Sequence, residues 1–487
     1  MKKQLLSILL CLAMALGLLP TMVFASGVTG SGKEDDPYVY EVSTPSELSD
    51  AVAAINAGPS DSAYYTISLQ EDIACSGLSF SRNTTTILGN GHKLVCNYGN
   101  AIHVGSRSAT ATATHPVLIL GGAQDALTIE DASPKGTYHE TYFIGVGAIN
   151  GGIEYGTLKM CDGVTITGAT GNNYFGGAVI VAGGGKFEMD GGIIKDCGID
   201  GGSVCFGGGV AVVNGGEFTM NDGSIQDCFL KTGYNFGESS TDNLFLNSGA
   251  GAGVFVSNGA VFKMTGGEIK NNTISAAQSG SYTSYGVGGG IAVMANPDSY
   301  DITARVEITG GTIEENKATL GGGGIAVCGM IPVAIPIGSS YSTGGSGTTT
   351  PGLFINGTEE NPVQIINNSA DGWKGHSVGG GGILLYHLKD TNQASIGNAV
   401  ISDNTVTNGP GGGIENLQLS SSFQNHLELA DVVLTGNRAA KGGGICLYNG
   451  TSAGTMKANV SSRKIPRRNW AADFSWKPIQ TPQTVLL

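Results

Sequence analysis

The stretch Val306-Glu-Ile308-Thr-Gly-Gly-Thr-Ile313-Glu-Glu-Asn316-Lys-Ala-Thr-Leu-Gly-Gly-Gly-Gly324-Ile325 decides the fold. Val306 and Ile308 alternate with polar residues, a Gly-Gly turn follows, and a second apolar piece ends at Asn316. A glycine cluster then closes on Ile325. Period-two alternation in such short pieces specifies strands, and nothing between them is long enough for a crossover helix.

The unit recurs in both directions. The glycine clusters are Gly176-Gly177-Ala178-Val179, Gly207-Gly208-Gly209-Val210, Gly251-Ala252-Gly253-Val254 and Gly288-Gly289-Gly290-Ile291. They continue as Gly322-Gly323-Gly324-Ile325, Gly380-Gly381-Gly382-Ile383, Gly411-Gly412-Gly413-Ile414 and Gly442-Gly443-Gly444-Ile445. Four of the seven spacings are 31 or 34 residues, and longer ones mark insertions. The alternating block recurs as Phe187 to Cys197, Phe218 to Cys228 and Phe262 to Asn272.

Periods of this size mean a solenoid or a propeller. Very short strands joined by tight turns fit an all-β right-handed parallel β-helix, with like residues stacked at roughly 4.8 Å per turn. A propeller would want longer strands and a longer repeat. In the stack Asn272, Asn316, Asn368, Asn404 and Asn437 are expected to form an inward ladder of side-chain amides. Cys197 and Cys228 hold that slot earlier, and directly stacked parallel strands offer poor disulfide geometry.

Composition agrees. Glycine supplies 80 of 487 residues and charged residues only 13%, while the apolar share of 40% can build a core. Charge this low excludes a solvated disordered chain. A net charge of −14 argues against a nucleic-acid partner, because phosphate binding needs a cationic surface.

Residues 1–25 read as a secretory signal: Met1-Lys2-Lys3, an apolar run from Leu5 to Leu19, and cleavage after Ala25. The run is shorter than a membrane span requires, and no second one follows, so no transmembrane segment is expected after cleavage. The chain is therefore expected to be secreted or displayed at the cell surface. The eight remaining cysteines are too sparse for a disulfide scaffold and lack zinc-site spacing, and most read as small buried hydrophobes.

Residues 38–62 read as an N-terminal cap. Thr44-Pro45-Ser46-Glu47 is a capping box, Leu48, Val52 and Ile55 make one apolar stripe, and Gly58 ends the helix. Such a helix can cover the open end of a solenoid. The repeats span 63–454, with 100–155 the least regular part. Residues 455–487 contain no glycine and carry Arg463, Lys464, Arg467 and Arg468, so they read as an irregular, truncated or frame-disturbed tail that packs poorly, with a basic wall-binding tail as the alternative.

Ile313-Glu-Glu-Asn316 followed by Gly-Gly-Gly-Gly324-Ile325, and Leu434-Thr-Gly-Asn437 followed by Gly-Gly-Gly444-Ile445, resemble the repeats of chlamydial polymorphic membrane proteins. More broadly the chain resembles the pectin-lyase-like right-handed β-helix superfamily, which includes adhesin-like surface proteins, over roughly residues 38 to 450. The resemblance implies the fold. It leaves activity open, because the superfamily holds lyases, hydrolases and non-catalytic adhesins. Polymorphic membrane proteins end in an outer-membrane barrel, and nothing here alternates like one.

The pectin hydrolases of this superfamily use clustered aspartates with Gly-His-Gly and Arg-x-Lys elements; this chain offers only Gly375-His376-Ser377. Lyases need a basic residue beside calcium-binding aspartates, and neither Arg305 nor Arg438 lies in an acidic cluster. Asp196, Asp227, Glu315 and Asp403 share one outward slot before the Asn/Cys column. Asp196 and Asp227 on consecutive turns make Ca²⁺ conceivable, against a solvated stripe that keeps the solenoid soluble. Tyr174, Phe175, Tyr234, Phe236, Tyr282, Tyr285 and Trp373 lie in the inserts before glycine clusters, so the rings are expected to share one face. Such a face suits a glycan or a host or matrix protein; the alternative is that the rings fold back as local cores. The expectation is a non-catalytic adhesin-like protein, with a polysaccharide lyase or glycoside hydrolase as runner-up and a structural spacer as the third possibility.

Overall fold

The computed structural model describes residues 28–58, 62–97, 100–107, 115–123, 125–133, 142–149, 151–171, 177–202, 205–232, 248–276, 278–279, 282–283, 285–294, 304–329, 352–372, 378–386, 393–418, 426–449, 457–461 and 474–476. Residues 1–25, the expected signal segment, lie outside them.

One turn of the chain shows how the repeat folds. Val261–Met264 and Glu268–Lys270 form two strands separated by a Gly-Gly turn. The backbone bends at Asn271, Thr273–Ala276 opens a second sheet, and the glycine cluster leads into Ile291–Met294 of a third. Arg305–Ile308 then pairs parallel and in register with Val261–Met264, starting the next turn. Repetition builds sheets of 22, 12 and seven strands. All named strand pairs are parallel except Gln278–Ser279 with Tyr282–Thr283. The protein is all-β with one described helix, and its stacked parallel sheets are consistent with a solenoid.

Like residues stack because the register repeats. Phe187, Phe218 and Phe262 align in successive strands, their rings 4.7 and 4.9 Å apart and nearly parallel. Met189-Met220-Met264 and Ile194-Ile225-Ile269-Ile313 run alongside, all fully buried. Each such side chain contributes about 1.5–3 kcal/mol by leaving water. Apart from Val261 and Ile193, the outward positions of the strands carrying these residues are polar, which is why the sequence alternates there.

The 12-stranded sheet differs. Val179–Ala182, Val254–Ser257, Ile291–Met294 and Ile325–Cys328 are buried at every residue. Their inner side chains join the main core, while Ile180, Phe255, Ala292 and Ala326 pack outward under Phe206, Val287 and Leu320. Phe206 stacks on Phe255 at 4.5 Å. With both faces covered, alternation disappears from the sequence.

The glycine clusters form a backbone seam between turns. Gly322 adopts φ 63°, a left-handed conformation cheap only for glycine. Gly323 is needed for another reason: a Cβ there would lie 2.3 Å from the carbonyl oxygen of Ser369 on the next turn.

The helix Pro45–Ala57 has its complete capping box and buries Leu48, Ala51, Val52 and Ile55. Asn56 ties it to the first turns, donating to the Ser79 carbonyl at 2.6 Å and accepting from the Ser81 N–H at 2.9 Å. Gly58 ends it in an extended rather than left-handed conformation, where its missing side chain leaves room for the Tyr65 hydroxyl.

In residues 455–487 two short strands are described. Lys457–Ser461 pairs in parallel with His426–Ala430, and Phe474–Trp476 pairs with Ile445–Leu447. The exposed edge of a turn offers backbone groups that pair regardless of sequence, and Ala458, Val460, Phe474 and Trp476 fall at the register positions of Leu427, Leu429, Ile445 and Leu447. Among the described residues, no helix is long and apolar enough to cross a membrane.

Candidate functional site

The asparagine column is the most fully bonded polar feature. Asn272, Asn316, Asn368 and Asn404 have no exposed surface, and Asn437 has 7%. Each sits after a residue with left-handed backbone (or, before Asn437, a glycine) that turns the chain between sheets. The Asn316 Oδ1 accepts from both the backbone N–H and the Nδ2 of Asn272, at 3.0 and 2.9 Å. The Asn316 Nδ2 in turn donates to Ile269 O at 2.8 Å and to Asn368 Oδ1 at 3.0 Å. The same pattern continues through Asn404 to Asn437. The sulfurs of Cys197 and Cys228 donate instead to Lys195 O and Gln226 O, at 3.0 and 3.4 Å. This ladder holds the corner between the 22-stranded and the seven-stranded sheets.

The outward acids occupy the left-handed position itself. Asp196, Asp227, Glu315 and Asp403 have φ between 54° and 57°, and Asn271 and Asn367 fill the slot on intervening turns. Asp and Asn tolerate this conformation better than most residues, which accounts for their recurrence without any ligand. The Asp227 carboxylate accepts from Asn271 Nδ2 on the next turn and from Gln226 Nε2 at 3.1 Å. Asp196 lies 3.9 Å from Lys195 Nζ, with its side chain 60% exposed. Ca²⁺ takes six to eight oxygens. Among the described residues no three His, Cys, Asp or Glu side chains converge on a possible metal position.

The aromatic inserts are placed by their roots. Those carrying Tyr174, Tyr234 and Tyr282 leave the seven-stranded sheet after Gly171, Leu230 and Ile274, which lie in one register column with Ile199. The latter two return through Ser248–Ala250 and Tyr285–Val287, which form a further parallel sheet with Cys205–Phe206. Departure and return points therefore stack on one flank of the molecule. Tyr174, Phe175, Tyr234, Phe236 and Trp373 lie outside the described residues. Tyr282 and Tyr285 lie on described strands, with side chains outside the description. The returning segments cover the outer face of the 12-stranded sheet, so that face is not available to a ligand there.

Two polar groups escaped the sequence reading, and both sit at outward positions of the 12-stranded sheet. His103 Nε2 lies 3.1 Å from the Gly147 carbonyl, which can only accept, so this nitrogen carries the proton. It is also 3.4 Å from Glu154, whose carboxylate accepts from Arg107 Nε at 2.5 Å. Tyr142 packs its ring against His103 and over Gly145, where a Cβ would collide with it. Burial, and then the Glu154 charge, raise the Tyr142 hydroxyl above its ordinary range. The group clasps the irregular early turns together.

The second is Glu415, fully buried where neighbouring strands carry Leu384 and Cys446. One carboxyl oxygen accepts from the Gly379 N–H; the other has no hydrogen-bond partner among the described residues. Burial pushes this carboxyl well above the usual range, only partly opposed by the Gly379 N–H. His103 stands between Ile102 and Val104, a polar residue in an apolar strand, whereas the strand Ile414–Gln418 also holds Asn416 and Gln418, so Glu415 does not stand out there.

No protein-family model, curated protein or solved structure matches this chain.

Proposed function

We propose that this chain is a right-handed parallel β-helix of the pectin-lyase-like kind, exported through its N-terminal signal, whose work is recognition rather than catalysis. The helix Pro45–Ala57 caps its first turn. The inserts carrying Tyr174, Tyr234, Tyr282, Tyr285 and Trp373 form an adhesin-like binding flank for a glycan, or for a host or matrix protein. The observation that carries this reading is the stacking of the insert roots, with departure at Gly171, Leu230 and Ile274 in one register column and return at Gly249 and Gly286. Because the inserts are rooted in one column, several weak ring–sugar contacts can add up to one site.

A glycan array probed with the full chain and with a Tyr234→Ala/Tyr282→Ala/Trp373→Ala variant tests it. The expected result is selective binding by the parent, at least tenfold weaker in the variant, with an unchanged Tm. Loss of about 1.4 kcal/mol suffices for that factor. A variant that melts earlier yet keeps its ligand assigns the rings to packing and overturns the proposal.

A further inference from the structure

Cys75 and Cys96 lie directly opposite each other on the parallel strands Ile73–Cys75 and Lys93–Cys96. Both are buried, and their sulfurs are 2.8 Å apart, closer than two unbonded sulfur atoms rest. Register neighbours in a sheet are separated by about 4.8 Å, inside the Cα range of roughly 4.4–6.8 Å that a disulfide spans. The general objection to stacked parallel cysteines is thus met here by side chains already directed at one another. Cys197 and Cys228 differ: their sulfurs face the backbone carbonyls of Lys195 and Gln226.

We propose that Cys75 and Cys96 are a covalent cross-linking site, joined as a disulfide that staples the first turns of the stack beside the helix. The bond closes a loop between positions 21 residues apart. A cross-link of this kind stabilises the fold mainly by limiting the freedom of the unfolded chain. The oxidant is a small-molecule or protein disulfide. One cysteine thiolate attacks it, giving a mixed disulfide and one released thiol; the second thiolate then displaces the other thiol. Two cysteine S–H bonds and one external S–S bond become one Cys75–Cys96 S–S bond and two external thiols. In the closed stack the hydrogen bond with Cys75, and then burial, hold the Cys96 thiol far above its ordinary range. Reaction is therefore expected while the turns are still forming. The inference does not depend on the recognition reading.

The test is refolding of the full chain in a mixture of oxidised and reduced glutathione, followed by alkylation in denaturant and peptide mapping. The expected product is a single peptide pair linking Cys75 to Cys96, two hydrogens lighter than its reduced form, with Cys197 and Cys228 recovered alkylated. Reduction should lower Tm by a few degrees in the parent and leave a Cys75→Ser/Cys96→Ser variant unmoved. Recovery of both Cys75 and Cys96 as alkylated thiols, or their linkage to other cysteines, overturns the proposal. Mapping of the parent chain decides the matter even if the variant fails to fold.

Discussion

Asn368 carries the ladder's logic in one side chain. Its Nδ2 donates to Ile313 O and Asn404 Oδ1, while its Oδ1 accepts from the backbone and side chain of Asn316. Replacement by alanine takes the acceptor from the buried Asn316 backbone N–H, at a cost of about 1–3 kcal/mol, and removes one bond each from Asn316 Nδ2, Asn404 Oδ1 and Ile313 O, at about 0.5–1.5 kcal/mol each. Asn368→Ala should therefore lose about 3 kcal/mol or more in urea denaturation, where an exposed Asn→Ala change would lose a few tenths. The ladder was legible because the Ile-x-x-Asn spacing recurs whatever lies between turns. Glu415 was not, since nothing in its own neighbourhood marks that strand as covered on both faces. It carries a pH prediction. A carboxyl held protonated in the folded state binds its proton more tightly than in the unfolded chain, whose ordinary value is about 4.3. Its contribution is complete below that value and falls as pH rises towards the raised folded value, by about 1.4 kcal/mol per pH unit. Glu415→Gln removes that slope, so the variant's advantage in Tm should grow between pH 5 and pH 8. An equal difference at both pH values would contradict a neutral buried Glu415.

At the scale of elements, the glycine seam separates two uses of one residue type. Gly91 adopts φ 88° but has open space where a Cβ would stand. Gly323 faces the Ser369 carbonyl across the seam. Gly91→Ala should cost about 1 kcal/mol, the price of a strained conformation. Gly323→Ala forces two turns apart and is expected to leave little folded protein, as read by soluble yield and circular dichroism. The seam was visible in the sequence as a repeated cluster. The outer layer over the 12-stranded sheet was missed because its cover comes from segments beyond each insert, whose lengths hide their period. The Cys75–Cys96 contact likewise follows from an early turn spaced by 21 residues, shorter than the repeat that organises the rest.

Across the whole molecule, the outward face of the largest sheet is laced by ion pairs between turns, such as Lys159 with Glu188 at 2.6 Å and Lys186 with Glu217 at 3.1 Å. Exposed pairs of this kind are worth little individually. They set the alternation of charge along the stack, and 150 mM salt should change Tm only slightly. The fold itself rests on turns that pile in register, and one column measures that directly. Lys159, Glu188, Thr219, Lys263, Glu307, Phe354, Ser395 and Glu428 occupy equivalent positions on successive strands. Spin labels carried on non-canonical residues at Lys159 and, in turn, at Glu307, Ser395 and Glu428 can be measured pairwise by double electron–electron resonance. Distances should rise evenly with the number of turns, to about 19, 29 and 34 Å at roughly 4.8 Å per turn. Distances that fail to increase in that order, or that level off as they would around a ring of blades, would contradict the stacked architecture.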